Sequence, residues 1–243
     1  MAKYGLVGKD ISYSFSKTFF SVKFDRENRA DTYHNFDIDR IEEFPKIISK
    51  TKDLKGLNVT IPYKEAIIPF LDRIDKEASA IGAVNTIKFQ NDGSLKGFNT
   101  DHYGFAKSLA NLLPIKEKTA LILGTGGASK AIKYVLDTMG FSYKIVSRNK
   151  TENTINYQEL NRELMTTHFL IINCTPLGTF PNVSQCPTIP YQYITADHVL
   201  FDLIYNPDQT EFLKLGKAQG ARTRNGLKML EHQAKKSWKI WRS

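Results

Sequence analysis

Polar and apolar positions follow two regimes along the chain. From Thr119 to about Arg224, short apolar runs alternate with stretches of helical period, and the strand candidates are 119–123, 144–147, 169–174 and 199–203, with a short one near 221–223. Strands that alternate with helices imply βαβ units, hence a parallel sheet covered by helices. The first hundred residues are less regular. Residues 3–8 (KYGLVG) predict a strand, 17–28 a helix and 32–38 a second strand. A helix with Ile41, Phe44, Ile47 and Ile48 on one side precedes a strand at 56–60. Pro62 suits the first turn of a following helix, which Pro69 breaks or kinks, and another helix is expected at 72–81. Extended runs at 83–89 and 95–98 flank Asn91-Asp92-Gly93 and predict a hairpin closed by Asn99-Thr100-Asp101. A helical pattern through Tyr103, Ala106, Leu109 and Leu113 leads to a boundary at Pro114. The final helix, Gly226 to Trp241, is expected to return to the first domain. No repeat or low-complexity linker interrupts the chain.

One stretch organises this pattern. Leu121-Ile122-Leu123 stops at Gly124-Thr125-Gly126-Gly127-Ala128-Ser129, and Ala131, Val135, Leu136 and Met139 continue with helical spacing. That is how a dinucleotide-binding βαβ unit opens, although Ser129 stands where the third glycine of the common fingerprint would be. The next strand ends at Ser147, where an acid would bind a ribose 2'-hydroxyl. Ser147-Arg148-Asn149-Lys150 stands there instead. A carboxylate repels a 2'-phosphate whereas a guanidinium bonds it twice, so the expected cofactor is NADP rather than NAD.

Composition narrows the class further. The chain has 243 residues, 41% of them hydrophobic, enough for one large domain or two modest ones. Neither a signal peptide nor a run of ~18 apolar residues occurs, so a cytoplasmic protein with no membrane partner is expected. Cys174 and Cys186 cannot form a disulfide framework, and no Cys/His spacing suggests a metal site. The net charge of +9 is scattered, with clusters at Arg222/Arg224 and at Lys235, Lys236, Lys239 and Arg242. Helical spacing in the last cluster reads as a solvated face, not a nucleic-acid surface, and the overall sign suits a small anionic ligand.

Several polar residues are candidates for the chemistry. Ser14 and Ser16, two apart, would point the same way in an extended segment and could receive a carboxylate; a turn or helix cap is the other reading. Lys64 follows the strand 56–60, and Asp101 follows the hairpin. A Lys/Asp pair facing a cleft could move a hydroxyl proton, with the carboxylate holding the ammonium; alternatively Asp101 caps a helix and Lys64 is solvated. Asn58, Thr60, Asn85 and Thr100 lie at strand ends, suited to a polyol or to turn formation.

Taken together, the strings GKDISYSFSK (8–17), GLNVTIPYKE (56–65), GAVNTI (82–87), FNTD (98–101), LGTGGAS (123–129), NCTPLG (173–178), DLIYNPDQTEFL (202–213) and NGLKMLEHQA (225–234) resemble the shikimate dehydrogenase family along nearly the whole chain. The resemblance implies an NADP-dependent enzyme interconverting shikimate and 3-dehydroshikimate, a step toward aromatic amino acids. The implied fold is α/β, with a Rossmann-type NADP-binding domain at 103–225. A smaller substrate domain with a mostly parallel sheet would comprise 1–102 completed by 226–243, with a cleft between the two.

Carried over by position, the resemblance implies that Ser14 and Ser16, helped by Tyr205, bind the substrate carboxylate. Asn58, Thr60, Asn85, Thr100 and Gln233 would surround the ring hydroxyls, and Lys64 with Asp101 would be the catalytic pair. Gly124, Gly126, Gly127 and Ala128 would approach the pyrophosphate, and Ser147, Arg148 and Lys150 the 2'-phosphate. Thr175, Gly226 and Met229 would lie by the ribose and nicotinamide. Small-molecule partners and a monomer or homodimer are expected. The chain departs from the family at Asp10, Tyr13 and Lys17 in the first loop and at Glu152, where a second basic residue is usual. It also ends soon after the Gln233 helix, so a shortened last helix is expected. Two other readings stay open: a quinate/shikimate dehydrogenase of broader specificity, and a non-catalytic sensor of the same ligands.

Overall fold

Two six-stranded sheets carry the fold. They belong to two compact units, Met1–Thr100 with Gln233–Ser243, and Asp101–His232. The structure is a computed structural model and describes residues 1–12 and 14–243; Tyr13, one of the departures in the first loop, lies outside the described residues.

The first unit contains β1 (Lys3–Gly8), β2 (Thr32–Asp37), β3 (Leu54–Val59), β4 (Arg73–Ile74), β5 (Thr86–Phe89) and β6 (Leu95–Phe98), ordered β2-β1-β3-β5-β6-β4. Helices α1 (Phe15–Arg26) and α2 (Phe44–Lys50) serve as crossovers, so β1 pairs parallel with both β2 and β3. The hairpin then reverses direction: β5 is antiparallel to β3 and β6. Gly93, at φ +82°, supplies the left-handed residue its turn needs.

Alternation along β1 separates two cores. Val7 faces a cluster with Phe44, Leu57, Ile67 and Ile87, while Tyr4 and Leu6 face Phe20, Phe24, Tyr33, Trp238 and Trp241. The two tryptophans come from the last helix, α8 (Leu227–Arg242). Trp241 stacks on Tyr4 at 4.9 Å between ring centroids and donates its indole N–H to the Ile87 carbonyl at 3.0 Å. Gly56 makes room for it, since a Cβ there would lie 2.2 Å from the indole nitrogen.

One expected helix is absent and another is shortened. Residues 61–67 form successive turns, because the Lys64 carbonyl accepts the Val84 N–H at 2.7 Å and the Ile68 N–H turns to Glu65 instead. At 72–75 the backbone bonds to β6, through Asp72 N to Leu95 O and Asp75 N to Gly97 O. This makes β4 an edge strand and confines α3 to Lys76–Ile81.

In the second unit every pairing is parallel. Strands β7 (Thr119–Leu123), β8 (Ser142–Ser147), β9 (Ile155–Asn156), β10 (Leu170–Asn173), β11 (Val199–Asp202) and β12 (Arg222–Arg224) run in the order β12-β11-β10-β7-β8-β9. Counted from β7, this is the 3-2-1-4-5-6 order of a doubly wound nucleotide-binding sheet. Helices α4 (Asp101–Ala110), α5 (Gly127–Thr138), α6 (Arg162–Thr167) and α7 (Glu211–Ala218) accompany it. Ala120 and Ile122 join one cluster and Leu121 and Leu123 the other, which is why this strand is an unbroken apolar run.

The expected borders at 102/103 and 225/226 instead fall at 100/101 and within α8 at 232/233. Near its start, α8 places Met229 in a second-unit cluster with Phe105 and Phe201, whereas Ala234, Trp238 and Trp241 belong to the first unit's core. Among the described residues no helix is long and apolar enough to cross a membrane, and no three His, Cys, Asp or Glu side chains gather as a metal site.

Candidate active site

Open α/β sheets bind ligands beyond the carboxyl ends of neighbouring strands whose connections leave in opposite directions. In the first unit that point lies between β1 and β3. The loop after β1 is tethered to β2: the Asp37 carboxylate accepts the N–H groups of Asp10 at 2.9 Å and Ile11 at 3.1 Å, and Asn35 donates to the Ile11 carbonyl at 2.8 Å. Asp10 takes φ +56°, so this loop turns sharply at a non-glycine residue. Ser14 is the N-cap of α1 and accepts from the Lys17 N–H at 3.3 Å.

Of the two readings of Ser14-x-Ser16, the helix cap holds for Ser14 and the extended arrangement does not. Helix α1 begins at Phe15, so Ser16 lies in its first turn, buried at 7% exposure and close to the Tyr33 hydroxyl. Burial raises the pKa of that phenol.

At the other side of the sheet's centre, polar groups gather where β3, β5, β6 and α8 meet. Asn58, Asn85, Thr86, Thr100, Gln233 and Ser237 are all buried and joined by hydrogen bonds. Asn85 Oδ1 accepts from Thr100 N at 2.7 Å, and Asn85 Nδ2 donates to Gln233 Oε1 at 3.3 Å. Asn58 differs from the ring-facing role the resemblance implies. Its Oδ1 accepts from the Tyr33 hydroxyl at 2.8 Å and its Nδ2 donates to Asn85 O, Thr86 Oγ1 and Ser237 Oγ at 3.1–3.2 Å. With both ends of the amide committed to protein partners, Asn58 braces the cluster from behind. Thr60 sits at the crevice, its N–H bonded to Val7 O at 2.9 Å. Lys64 is half-buried in the turns that follow, its backbone tied to the residue before Asn85.

In the second unit the corresponding point lies between β7 and β10. Gly124 has φ +102°, and a Cβ there would come within 3.0 Å of Thr175 Cγ2 and 3.3 Å of the Cys174 carbonyl carbon. Glycine thus lets the turn after β7 pass the loop after β10. Gly126 is the N-cap of the 12-residue helix α5, whose first turn holds no acid, and a Cβ on it would meet nothing within 4 Å. Open space beside N–H groups at a helix start, with Gly127 and Ala128 half-buried there, fits a pyrophosphate. Ser129 donates to the Gly126 carbonyl at 2.7 Å and closes the turn from inside.

Beyond β8, Ser147 is half-buried and Arg148 exposed, which suits a 2'-phosphate. Lys150 does not join them. It pairs with Glu159 at 2.7 Å, and Glu159 also accepts the Asn156 N–H, so this lysine is held to the next turn of chain. Met229 is 7% exposed, a core residue more than a surface one. Gly226 is enclosed: a Cβ would lie 2.1 Å from Leu203 O. Asp101 is buried as the first residue of α4, and Tyr205 is 37% exposed with its phenol pushed up by burial.

Sequence reasoning missed a second buried cluster here. Asp202, fully buried at the end of β11, accepts from Thr210 Oγ1 at 2.5 Å and from Asn173 Nδ2 and Ile204 N at 3.0 Å. Asn173 Oδ1 in turn accepts from Thr175 N at 3.0 Å and Thr175 Oγ1 at 2.6 Å. Burial pushes the Asp202 carboxyl up to about 6, against three hydrogen bonds that pull it down. Burial also raises the Cys174 thiol, which leaves it a protonated, inert side chain. A signal for Asp202 existed in the sequence: an acid ending the apolar run Val199-Leu200-Phe201 must be buried with donors around it.

A doubly wound parallel sheet with a glycine turn at its switch point, accompanied by a second α/β unit rich in buried amides and hydroxyls, defines a dinucleotide-dependent oxidoreductase. Comparison with known proteins makes this specific. Residues 6–87 match the family model for the shikimate dehydrogenase substrate binding domain. A shikimate dehydrogenase (NADP(+)) of Methanosphaera stadtmanae is 36% identical over 256 residues, spanning 98% of this chain and 90% of that protein. The crystal structure of shikimate dehydrogenase from Aquifex aeolicus matches with a TM-score of 0.88 at 36% identity, over 99% of this chain and 92% of the other. Shikimate 5-dehydrogenase from Thermus thermophilus, in complex with NADP(H) and shikimate, matches at a TM-score of 0.87 and 29% identity, over 99% and 93%. The chain belongs to the shikimate dehydrogenase family.

Proposed function

We propose that this chain catalyses the reversible NADPH-dependent reduction of 3-dehydroshikimate to shikimate, in the cytoplasm, on the route to aromatic amino acids. Met1–Thr100 with the end of α8 is the substrate-binding unit, and Asp101–His232 holds the nucleotide. The observation that carries the proposal is the buried cluster of Asn85, Thr100 and Gln233, which supplies amide and hydroxyl groups to a polyol. Membership of the family supports it.

In this reading Ser14, Ser16 and Tyr205 receive the substrate carboxylate, and Thr60, Asn85, Thr100 and Gln233 hold the ring hydroxyls. Asn58 supports the cluster without touching the ring. Lys64 and Asp101 form the catalytic pair: the lysine exchanges a proton with the reacting oxygen, and the carboxylate holds and orients the ammonium. NADP, when bound, supplies or receives the hydride. Gly124, Gly126, Gly127 and Ala128 hold its pyrophosphate, Ser147 and Arg148 its 2'-phosphate, and Thr175, Gly226 and Met229 border the nicotinamide half. Lys150 contributes long-range charge only. Small-molecule partners suffice, with neither nucleic acid nor membrane, and a monomer or a homodimer serves equally.

The test is NADPH absorbance on mixing the purified protein with shikimate and NADP, and in parallel with quinate or NAD. Reduction of NADP by shikimate, faster than the other combinations, is expected. A folded sample that leaves NADP oxidised sinks the proposal, and equal rates with quinate would transfer it to a broader quinate/shikimate activity.

A further inference from the structure

The buried cluster of the first unit has a direction. Tyr33 donates its hydroxyl proton to Asn58 Oδ1 at 2.8 Å. This fixes Asn58 with its Nδ2 toward β5 and α8, where it donates to Thr86 Oγ1 at 3.2 Å and Ser237 Oγ at 3.1 Å. Thr86, having accepted, sends its own proton to Asn85 Oδ1 at 3.1 Å, so the proton of the 2.8 Å bond between the two hydroxyls comes from Ser237, which also lies 3.0 Å from the Gln233 backbone carbonyl. Asn85 Oδ1 also takes the Thr100 N–H at 2.7 Å, so its amide nitrogen must be the opposite end. That nitrogen donates to Gln233 Oε1, which Thr100 Oγ1 also reaches at 3.1 Å. Both oxygens of the Asn85 and Gln233 amides are thereby held inside the cluster. What each amide has left to offer is N–H.

We propose that Thr86 and Ser237, oriented through Tyr33 and Asn58, are positioning residues that hold the Asn85 amide directly, and the Gln233 amide through Asn85 Nδ2, with their N–H ends available to the oxygen acceptors of the substrate ring. They do so without contacting substrate. Selection for a ligand that presents oxygen lone pairs at two places then resides in hydroxyls behind the pocket wall, because an amide turned by 180° would offer C=O and repel the same oxygens. Ser237 lies one helical turn after Gln233 on α8, so the same helix carries one of the donors and one hydroxyl of the circuit behind them. This inference rests on the substrate class proposed above.

The experiment compares Thr86→Val, which keeps shape and removes the hydroxyl, with Thr86→Ser, which keeps the hydroxyl, and with Ser237→Ala. Shikimate binding to the nucleotide-free protein is measured by calorimetry, and KM and kcat by NADPH absorbance. Thr86→Val and Ser237→Ala should each weaken shikimate binding about tenfold, while the KM for NADP moves by less than about twofold. Thr86→Ser should restore binding to within about threefold of the parent, and the Thr86→Val/Ser237→Ala double variant should lose less than the product of the singles, since both act through the same amides. Parent-like binding by Thr86→Val, or a loss in Thr86→Ser as large as in Thr86→Val, overturns the proposal and assigns the site to packing. The side-chain amide resonances of Asn85 and Gln233 decide the matter even for a protein that neither binds nor oxidises shikimate. They should shift in Thr86→Val and Ser237→Ala but stay in place in Thr86→Ser. Unmoved resonances overturn the positioning role, whereas an inactive parent with shifted resonances overturns only the substrate assignment.

Discussion

The Asp202 carboxyl offers a quantitative check on how the second unit is held together. Its pKa stands at about 6 against an ordinary value of 3.8, because burial disfavours the charge more than three donors restore it. The difference of about two pH units corresponds to about 3 kcal/mol. The folded state binds this proton more tightly than the unfolded chain, so between these values folding takes up a proton and stability falls as pH rises. The contribution is complete below about pH 4 and gone above about pH 7; between pH 4.5 and 7.5 it amounts to about 2 kcal/mol. Replacing Asp202 with Asn removes the titration. It also keeps one oxygen for Asn173 Nδ2 and Ile204 N but turns an NH2 group toward Thr210 Oγ1, whose proton is left without its acceptor at a cost of about 1 to 3 kcal/mol.

The two effects separate by their pH dependence. Asp202→Asn should be less stable than the parent at pH 4.5, and the gap should narrow by about 2 kcal/mol by pH 7.5, other groups cancelling in the comparison. The assay is urea unfolding followed by backbone circular dichroism, since the only tryptophans, Trp238 and Trp241, both lie in the first unit and report on it first. Two stability curves that run parallel from pH 4.5 to 7.5 would refute the reasoning, and would mean that Asp202 is charged in the folded state throughout that range.

Other substitutions address the site directly. Lys64→Ala should lower kcat by orders of magnitude with a much smaller change in shikimate affinity; equal losses confined to binding would make Lys64 a ligand rather than a proton carrier. Arg148→Ala should raise the KM for NADP roughly tenfold to hundredfold and leave that for NAD unchanged, while Lys150→Ala, which only frees Glu159, should change NADP affinity less than about threefold. If the two variants lose NADP affinity alike, the Lys150–Glu159 pair opens to the nucleotide. Gly226→Ala drives a methyl into the Leu203 carbonyl and should cost about 3 kcal/mol or more in urea unfolding; a stability near that of the parent would show that the strand end after β11 yields.

The parts of the fold that could be read from the sequence are those whose reasons are local. The runs at 120–123 and 170–172 are apolar throughout because a parallel sheet buries both their faces, and the Asn91-Asp92-Gly93 turn announces its hairpin by chemistry alone. Residues 61–67 and 72–75 were misread as helix because their backbone groups have distant partners, Val84 for Lys64 and Gly97 for Asp75, which no local propensity reveals. For a related reason Ser14 and Ser16 follow the helix-cap reading and not the extended one. A period of two presumes extended chain, and α1 begins between the two serines, so Ser14 became the cap while Ser16 turned inward to Tyr33.

Candidate site residues were legible as types but not as orientations. Asn58, Asn85, Thr100 and Gln233 stand out as polar groups at strand ends and on a helix, yet nothing in their spacing distinguishes Asn58, closed in by Tyr33 and Ser237, from Asn85, whose nitrogen faces Gln233. That distinction depends on where each proton goes, and Thr86 and Ser237, which share a 2.8 Å hydrogen bond, are 151 residues apart. A serine in mid-helix, read alone, is a weak helix former that bonds back to the preceding turn. Ser237 lies in reach of that bond, 3.0 Å from Gln233 O, but also 2.8 Å from Thr86 Oγ1, and its lone pairs accept from Asn58 Nδ2. The helix alone offers this hydroxyl only the preceding turn, and only the sheet packed against α8, with Thr86 and Asn58, turns it from a helix irregularity into a group that orients the site.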